Sequence, residues 1–250
     1  MIKLLNKAAA KFEIKLVSSV VELSPDLKSD ILFMNFYEFC RPYTMTSPER
    51  LFALYQAVKN VVANNIPGSF VECGVWKGGS SMMTAKVLQH LGVTDRLIYM
   101  YDTYEGMTEP TIEDRDYTGE NAAKLLSQED KADSNSIWCY SSIDEVRSNF
   151  KKTGYPEKQV QFIKGKVEDT IPGVIPEKIA LLRLDTDWYA STYHEMIHLY
   201  PLLQQKGILI IDDFGHWEGA KKAILQYFSE QQLSPLINRI DETGRIVIKY

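Results

Sequence analysis

The feature that most constrains this chain is an alternation. Five short apolar runs, at residues 69–73, 97–101, 160–163, 179–184 and 208–211, are separated by stretches with helical spacing. Short runs rich in Val, Ile and Leu suit strands buried on both faces. Helices expected at about 80–91, 143–151, 191–204 and 219–230 supply the crossovers between them. This is the pattern of βαβ units, and it predicts an α/β fold on a mostly parallel central sheet. Two further runs, 236–240 and 245–249, flank Asp241-Glu242-Thr243-Gly244 and predict a C-terminal antiparallel hairpin.

With 250 residues, 45% of them hydrophobic, the chain can fill one sizeable α/β core and fits that better than two small ones. Residues 1–45 lack a strong period and are punctuated by Ser24-Pro25 and Arg41-Pro42, which predicts an N-terminal extension of short helices capping a main domain at 46–250. Ser47 and Pro48 suit the cap and first position of a helix whose apolar residues are Leu51, Leu54, Tyr55, Val58, Val61 and Val62. Between 105 and 136 the chain is polar, acidic and shows no persuasive core face. Such a stretch reads either as a surface loop or as a lid over a ligand at the preceding strand end.

A net charge of -5, with lysines and arginines spread along the chain, argues against nucleic acid as a partner. No apolar run reaches the roughly 18 residues of a membrane span, and the N-terminus lacks the apolar core of a signal peptide. Cys40, Cys73 and Cys139 have no metal-ligand spacing. The expectation is a soluble, cytoplasmic protein in a reducing compartment, acting on a small molecule and free to form a homo-oligomer.

Chemistry is written at the strand ends. The run Phe70-Val71-Glu72-Cys73-Gly74-Val75-Trp76-Lys77-Gly78-Gly79-Ser80 is a strand, a glycine turn and a helix start. Glycines admit close backbone approach, and free amides at a helix start favour an anionic group. The spacing is not the three-glycine dinucleotide fingerprint. Asp102 closes the next strand, where a carboxylate can accept both hydroxyls of a ribose; a helix cap is the alternative. Together Gly74 and Asp102 describe a nucleoside pocket. Two later runs break into aspartates, Asp185 and Asp187 after one, Asp212 and Asp213 after the other. Four carboxylates on one rim repel one another, and a hard divalent cation such as Mg²⁺ relieves that repulsion. His194 and His198 lie four apart but lack a third ligand, whereas His216 follows the aspartate pair and is a secondary candidate for acid-base work.

These residues resemble the macrocin O-methyltransferase-like family, bacterial enzymes that methylate sugar hydroxyls on natural products. The motifs that carry the likeness run in order from about Thr44 to Phe228. They are Met45-Thr46-Ser47-Pro48-Glu49-Arg50, Val71-Glu72-Cys73-Gly74-Val75-Trp76-Lys77-Gly78-Gly79-Ser80, Asp102-Thr103-Tyr104-Glu105-Gly106-Met107, Gly165-Lys166-Val167-Glu168-Asp169-Thr170, Leu184-Asp185-Thr186-Asp187-Trp188-Tyr189 and Asp212-Asp213-Phe214. The resemblance implies a Rossmann-like class I methyltransferase fold, S-adenosylmethionine as methyl donor and a Mg²⁺ requirement. It makes Asp185, Asp212 and Asp213 the metal ligands, Asp187 the general base, and Glu72, Gly74, Ser80 and Asp102 the cofactor contacts, with Thr46 and Glu168 closing over the cofactor. The family often has Tyr where this chain has Phe214. Two rivals stay open: a nucleotide-dependent oxidoreductase, and a non-catalytic S-adenosylmethionine-binding protein.

Overall fold

The computed structural model describes residues 23–131 and 136–250. The expected extension before residue 23, and residues 132–135 of the expected lid, lie outside the described residues.

Seven strands form one sheet. They are β1 (Ser69–Cys73), β2 (Ile98–Asp102), β3 (Val160–Lys164), β4 (Ile179–Leu184), β5 (Leu203–Ile211), β6 (Asn238–Arg239) and β7 (Arg245–Ile248), in the order β3-β2-β1-β4-β5-β7-β6. The first five are mutually parallel; β7 runs antiparallel to β5 and to β6. Consecutive strand residues point to opposite faces. Phe70, Leu181, Ile208 and Ile210 therefore enter one core, and Val71, Leu182, Leu209 and Ile211 the other. Both faces are covered, which is why β1, β4 and the end of β5 read as mainly apolar runs rather than alternating ones. Truncating such a residue, Leu182→Ala for example, costs about 2–5 kcal/mol.

One face is covered by α1 (Pro25–Ser29), α2 (Ile31–Cys40), α3 (Pro48–Ala63), α4 (Gly79–His90) and α6 (Ile143–Lys151). Phe33, Phe36 and Cys40 of α2 are buried in the same core as α3 and α4, so the described part of the extension is integral to the fold. At the start of α3 the Ser47 hydroxyl accepts the Arg50 N–H at 3.1 Å, with Pro48 first in the helix. The other face is covered by α7 (Val167–Thr170), α8 (Tyr189–His198) and α9 (Glu218–Glu230). The sequence reading carried α8 to residue 204, but the helix stops at His198. A 3₁₀ turn at Tyr200–Leu202 follows, because Pro201 cannot donate the helical N–H, and β5 begins at Leu203.

The segment from 105 does have a core face. It contains α5 (Ala122–Ser127), and Ala122 and Leu126 pack with Trp188, Trp217 and Ala220 in a small separate cluster. A helix this short shows no period, and most of its apolar partners come from α8, α9 and their approaches. Among the described residues, no helix is long and apolar enough to cross a membrane.

Candidate active site

The strand register builds the site. Cys73 pairs with Tyr101 on one side and Leu184 on the other, and Leu184 pairs with Ile211. The following residues, Gly74, Asp102, Asp185 and Asp212, thus form one row along the carboxyl rim. Backbone bonds hold that row: Gly74 N donates to Tyr101 O at 2.9 Å, Asp185 N to Cys73 O at 2.8 Å, and Asp212 N to Leu184 O at 2.9 Å. A cavity of about 240 Å³ opens over it. It lies where β1 meets β4 and the strand order reverses, the position at which open α/β sheets bind ligands. Thr46, Glu72, Gly74, Ser80, Asp102, Glu168, Asp185, Asp187, Asp212 and Asp213 all line it.

His216 does not line this cavity. Its half-buried ring packs 5.6 Å from Tyr117 and 4.7 Å from Trp217, and burial holds its pKa below the usual value.

Gly74 has φ +82°, and a Cβ there would lie 2.0 Å from the Asp185 carbonyl oxygen. The glycine is therefore demanded by the approach of two protein backbones, before any ligand is considered. Asp102 joins the turns after β1 and β2. Its Oδ2 accepts Val75 N at 2.7 Å and Trp76 N at 3.1 Å, and its Oδ1 accepts Tyr104 N at 2.6 Å. Burial pushes this carboxyl up and the three amides act against that rise.

A buried guanidinium organises the floor. Arg183 on β4 stands opposite Glu72 on β1 in the parallel register. Its Nη1 donates to Glu72 Oε1 and to Asp185 Oδ2, both at 2.7 Å; its Nη2 donates to Asp212 Oδ1 at 2.6 Å and to Thr46 Oγ1 at 2.8 Å. Glu72 also accepts the Ser81 hydroxyl. Arg50 on α3 holds the other Asp212 oxygen, and its Nε donates to Asp241 Oδ2 at 2.9 Å. Both carboxylate oxygens of Asp212 are thus taken by guanidinium groups. Arg183 and Arg50 went unassigned in the sequence reading, although an arginine inside the apolar run Leu181-Leu182-Arg183-Leu184 was a usable signal, since a buried charge requires partners.

Asp185, Asp187 and Asp213 bring carboxylate oxygens within 4.8 Å of one another. Asp213 Oδ2 is buried and has no hydrogen-bond partner. Asp187 has φ +67°, a left-handed conformation that costs a non-glycine residue about 1–2 kcal/mol and that aspartate tolerates better than most. Burial, with the Asp185 and Asp212 charges, pushes the Asp187 carboxyl up to about 7, against a hydrogen bond with Asp213. Burial likewise holds Asp185 and Asp213 well above the usual carboxylate range, with neighbouring aspartates adding to it. Three crowded carboxylates with an orphaned oxygen fit a hard divalent cation, which takes oxygen ligands and relieves the repulsion. Each Asp212 carboxylate oxygen accepts one guanidinium N–H, which leaves a lone pair on each for a cation.

The family profile described as Macrocin-O-methyltransferase (TylF) matches residues 40–249. Over 202 residues the chain is 32% identical to the demethyldecarbamoylnovobiocin O-methyltransferase of Streptomyces niveus, covering 81% of this chain and 74% of that protein. It is 34% identical, with the same coverage, to the 8-demethyl-8-(2,3-dimethoxy-alpha-L-rhamnosyl)-tetracenomycin-C 4'-O-methyltransferase of Streptomyces olivaceus. The solved structure of the O-methyltransferase NovP superposes with a TM-score of 0.72 at 30% identity, over 83% of this chain and 82% of that one. With its strand order, its carboxyl-rim aspartates and this match along most of its length, the chain belongs to the macrocin O-methyltransferase (TylF) family of O-methyltransferases.

Proposed function

We propose that the protein transfers a methyl group from S-adenosylmethionine to a hydroxyl of a sugar or glycosylated natural product, with a magnesium ion assisting. The observation that carries this reading is the meeting of Asp185, Asp187 and Asp213 at the same switch-point cavity as the Gly74 turn. The relatives, whose names record O-methylation of demethyldecarbamoylnovobiocin and of a rhamnosyl-tetracenomycin, support the acceptor class.

Gly74, Ser80 and Asp102, with Thr46, Glu72 and Glu168 around them, would hold the methyl donor. The amides at the start of α4 suit its carboxylate, and Asp102, lining the same cavity at the end of β2, is the candidate for its ribose. S-adenosylmethionine would supply an electrophilic methyl group, its sulfur leaving as the neutral thioether, and Mg²⁺ held by Asp185, Asp212 and Asp213 would lower the pKa of a nearby hydroxyl. Asp187 would take the acceptor's hydroxyl proton as the new C–O bond forms and the bond between sulfur and the methyl carbon breaks. The segment from 105, resting on Trp188 and Trp217, serves as the lid that excludes water. His216 stands outside the cavity, against Tyr117 and Trp217, and is the secondary candidate for acid-base work.

The test is incubation with S-adenosylmethionine, Mg²⁺ and a panel of demethylated glycosides, read by mass spectrometry with and without a chelator. Gain of one methyl group, lost on chelation, is expected. Methylation unaffected by chelation removes the metal from the proposal, and binding of NAD in place of S-adenosylhomocysteine overturns it in favour of an oxidoreductase.

A further inference from the structure

Behind the three aspartates lies a carboxyl group that the chemistry above does not use. Glu195 on α8 is 0% exposed. Among the described residues no lysine or arginine pairs with it; its hydrogen-bond partner is the Thr186 hydroxyl, 3.1 Å from Oε1 and 3.2 Å from Oε2. An acid fully removed from water without a cation is costly to keep, so its place in the fold calls for a reason.

Thr186 provides one. It is the residue between Asp185 and Asp187, and it is tied at both ends. Its carbonyl accepts the Trp188 N–H at 2.7 Å and the Ser191 hydroxyl at 3.4 Å, while its side chain reaches Glu195. The tight turn so formed contains the left-handed Asp187, a backbone state that persists only where the surroundings over-determine it. Arg183 holds the Asp185 end of the turn and the Trp188 indole N–H, donated to Thr108 O, holds the other, while the Glu195 contact is the side-chain restraint at its middle.

We infer that Glu195 is a positioning residue: acting through the Thr186 hydroxyl, it locks the Asp185–Trp188 turn from the helix side and so sets the geometry of the carboxylate centre. The inference rests on the reading of Asp185, Asp187 and Asp213 as a metal and proton-transfer centre.

The experiment is Mn²⁺ binding to the full chain, followed by electron paramagnetic resonance, with S-adenosylhomocysteine affinity and the thermal midpoint measured on each variant. Wild type is expected to bind Mn²⁺. Thr186→Val and Glu195→Leu each weaken it by roughly 10- to 100-fold, the range for partners that orient metal-binding side chains. Thr186→Ser, which restores the hydroxyl, and Glu195→Gln, whose amide oxygen still accepts it, return affinity to near wild type. If Thr186→Val lowers only the thermal midpoint and leaves Mn²⁺ affinity unchanged, or if Thr186→Ser fails to rescue, the positioning role is overturned. Wild-type protein that binds no Mn²⁺ overturns the metal reading itself and the inference with it, a result visible before any variant is made.

Discussion

Asp114 and Tyr189 stand 75 residues apart, yet Asp114 Oδ1 accepts the Tyr189 backbone N–H at 2.7 Å at the first turn of α8. The other oxygen accepts the Thr111 amide at 2.6 Å and the Thr111 hydroxyl at 2.8 Å, and Asp114 is fully buried. A Cβ at Gly219, in the first turn of α9, would lie 2.1 Å from Oδ1, so this carboxylate sits between the starts of two helices. It pins the segment from 105 to the scaffold that carries Asp187. Asp114→Ala is expected to destabilise the protein by about 2–3 kcal/mol through lost charge-assisted hydrogen bonds. Urea denaturation measures the loss, and limited proteolysis should show faster cleavage between residues 105 and 131; unchanged cleavage would mean that other contacts hold the segment.

Arg183→Met removes the cation shared by Glu72, Asp185 and Asp212. Stranding buried carboxylates costs about 3–5 kcal/mol near neutral pH. Glu72 and Asp185, already raised by burial, lose the charge that opposes that rise, so the variant's folded state binds more protons than its unfolded state and its stability rises as pH falls. Chemical denaturation of the variant across mildly acidic pH checks the sign. A variant that loses stability steadily toward acid contradicts the role assigned to Arg183.

Gly74 and Gly92 separate two costs that are often confounded. Both have positive φ, +82° and +72°, but an added Cβ at Gly92 meets nothing within 4 Å, whereas at Gly74 it meets the Asp185 carbonyl. Gly92→Ala should cost about 1–2 kcal/mol from backbone strain alone. Gly74→Ala should cost clearly more, because β1 and β4 must part. Equal denaturation midpoints for the two variants would show that the rim yields easily.

The hairpin's docking should be acid-sensitive through Asp241. Burial raises this carboxyl, but the Ser47 hydroxyl, the Gly244 amide and Arg50 outweigh it, and its pKa ends below the usual value. A depressed folded pKa contributes stability that is present above the unfolded value, about 3.9, and is lost as pH falls through the folded one. Asp241→Asn should therefore be less stable than wild type near neutral pH and flatter below about pH 4. Parallel acid limbs for the two proteins would assign the sensitivity to another group.

Asp187→Asn and Asp213→Asn should fail differently. The first keeps S-adenosylhomocysteine binding but turns over roughly 10²- to 10⁴-fold more slowly, as loss of a general base does. The second loses metal affinity, and added Mg²⁺ restores part of its activity. Single-turnover methylation at several Mg²⁺ concentrations distinguishes them. Rescue of Asp187→Asn by excess metal makes Asp187 chiefly a ligand.

Much of this was written locally. Buried strands announce themselves by mainly apolar runs, and β1, β4 and the Ser47-capped α3 were readable from spacing and capping chemistry alone. The segment from 105 was not, because the face that α5 buries is completed by Trp188, Trp217 and Ala220, residues distant in sequence.

What the sequence determined by itself is the presence of a glycine turn and of acids at successive strand ends, since side-chain type and strand period are properties of neighbouring residues. Which acids meet was decided only by the tertiary structure. The parallel register places Gly74, Asp102, Asp185 and Asp212 in one row, and the left-handed turn at Asp187 swings that carboxylate to Asp185 and Asp213. Arg50 and Arg183, from another helix and an adjacent strand, pair with Asp212, whereas among the described residues no salt bridge reaches Asp187 or Asp213. No local pattern encodes that division, because the free energy of a buried charge depends on which opposite charges the whole fold brings within a few ångströms of it.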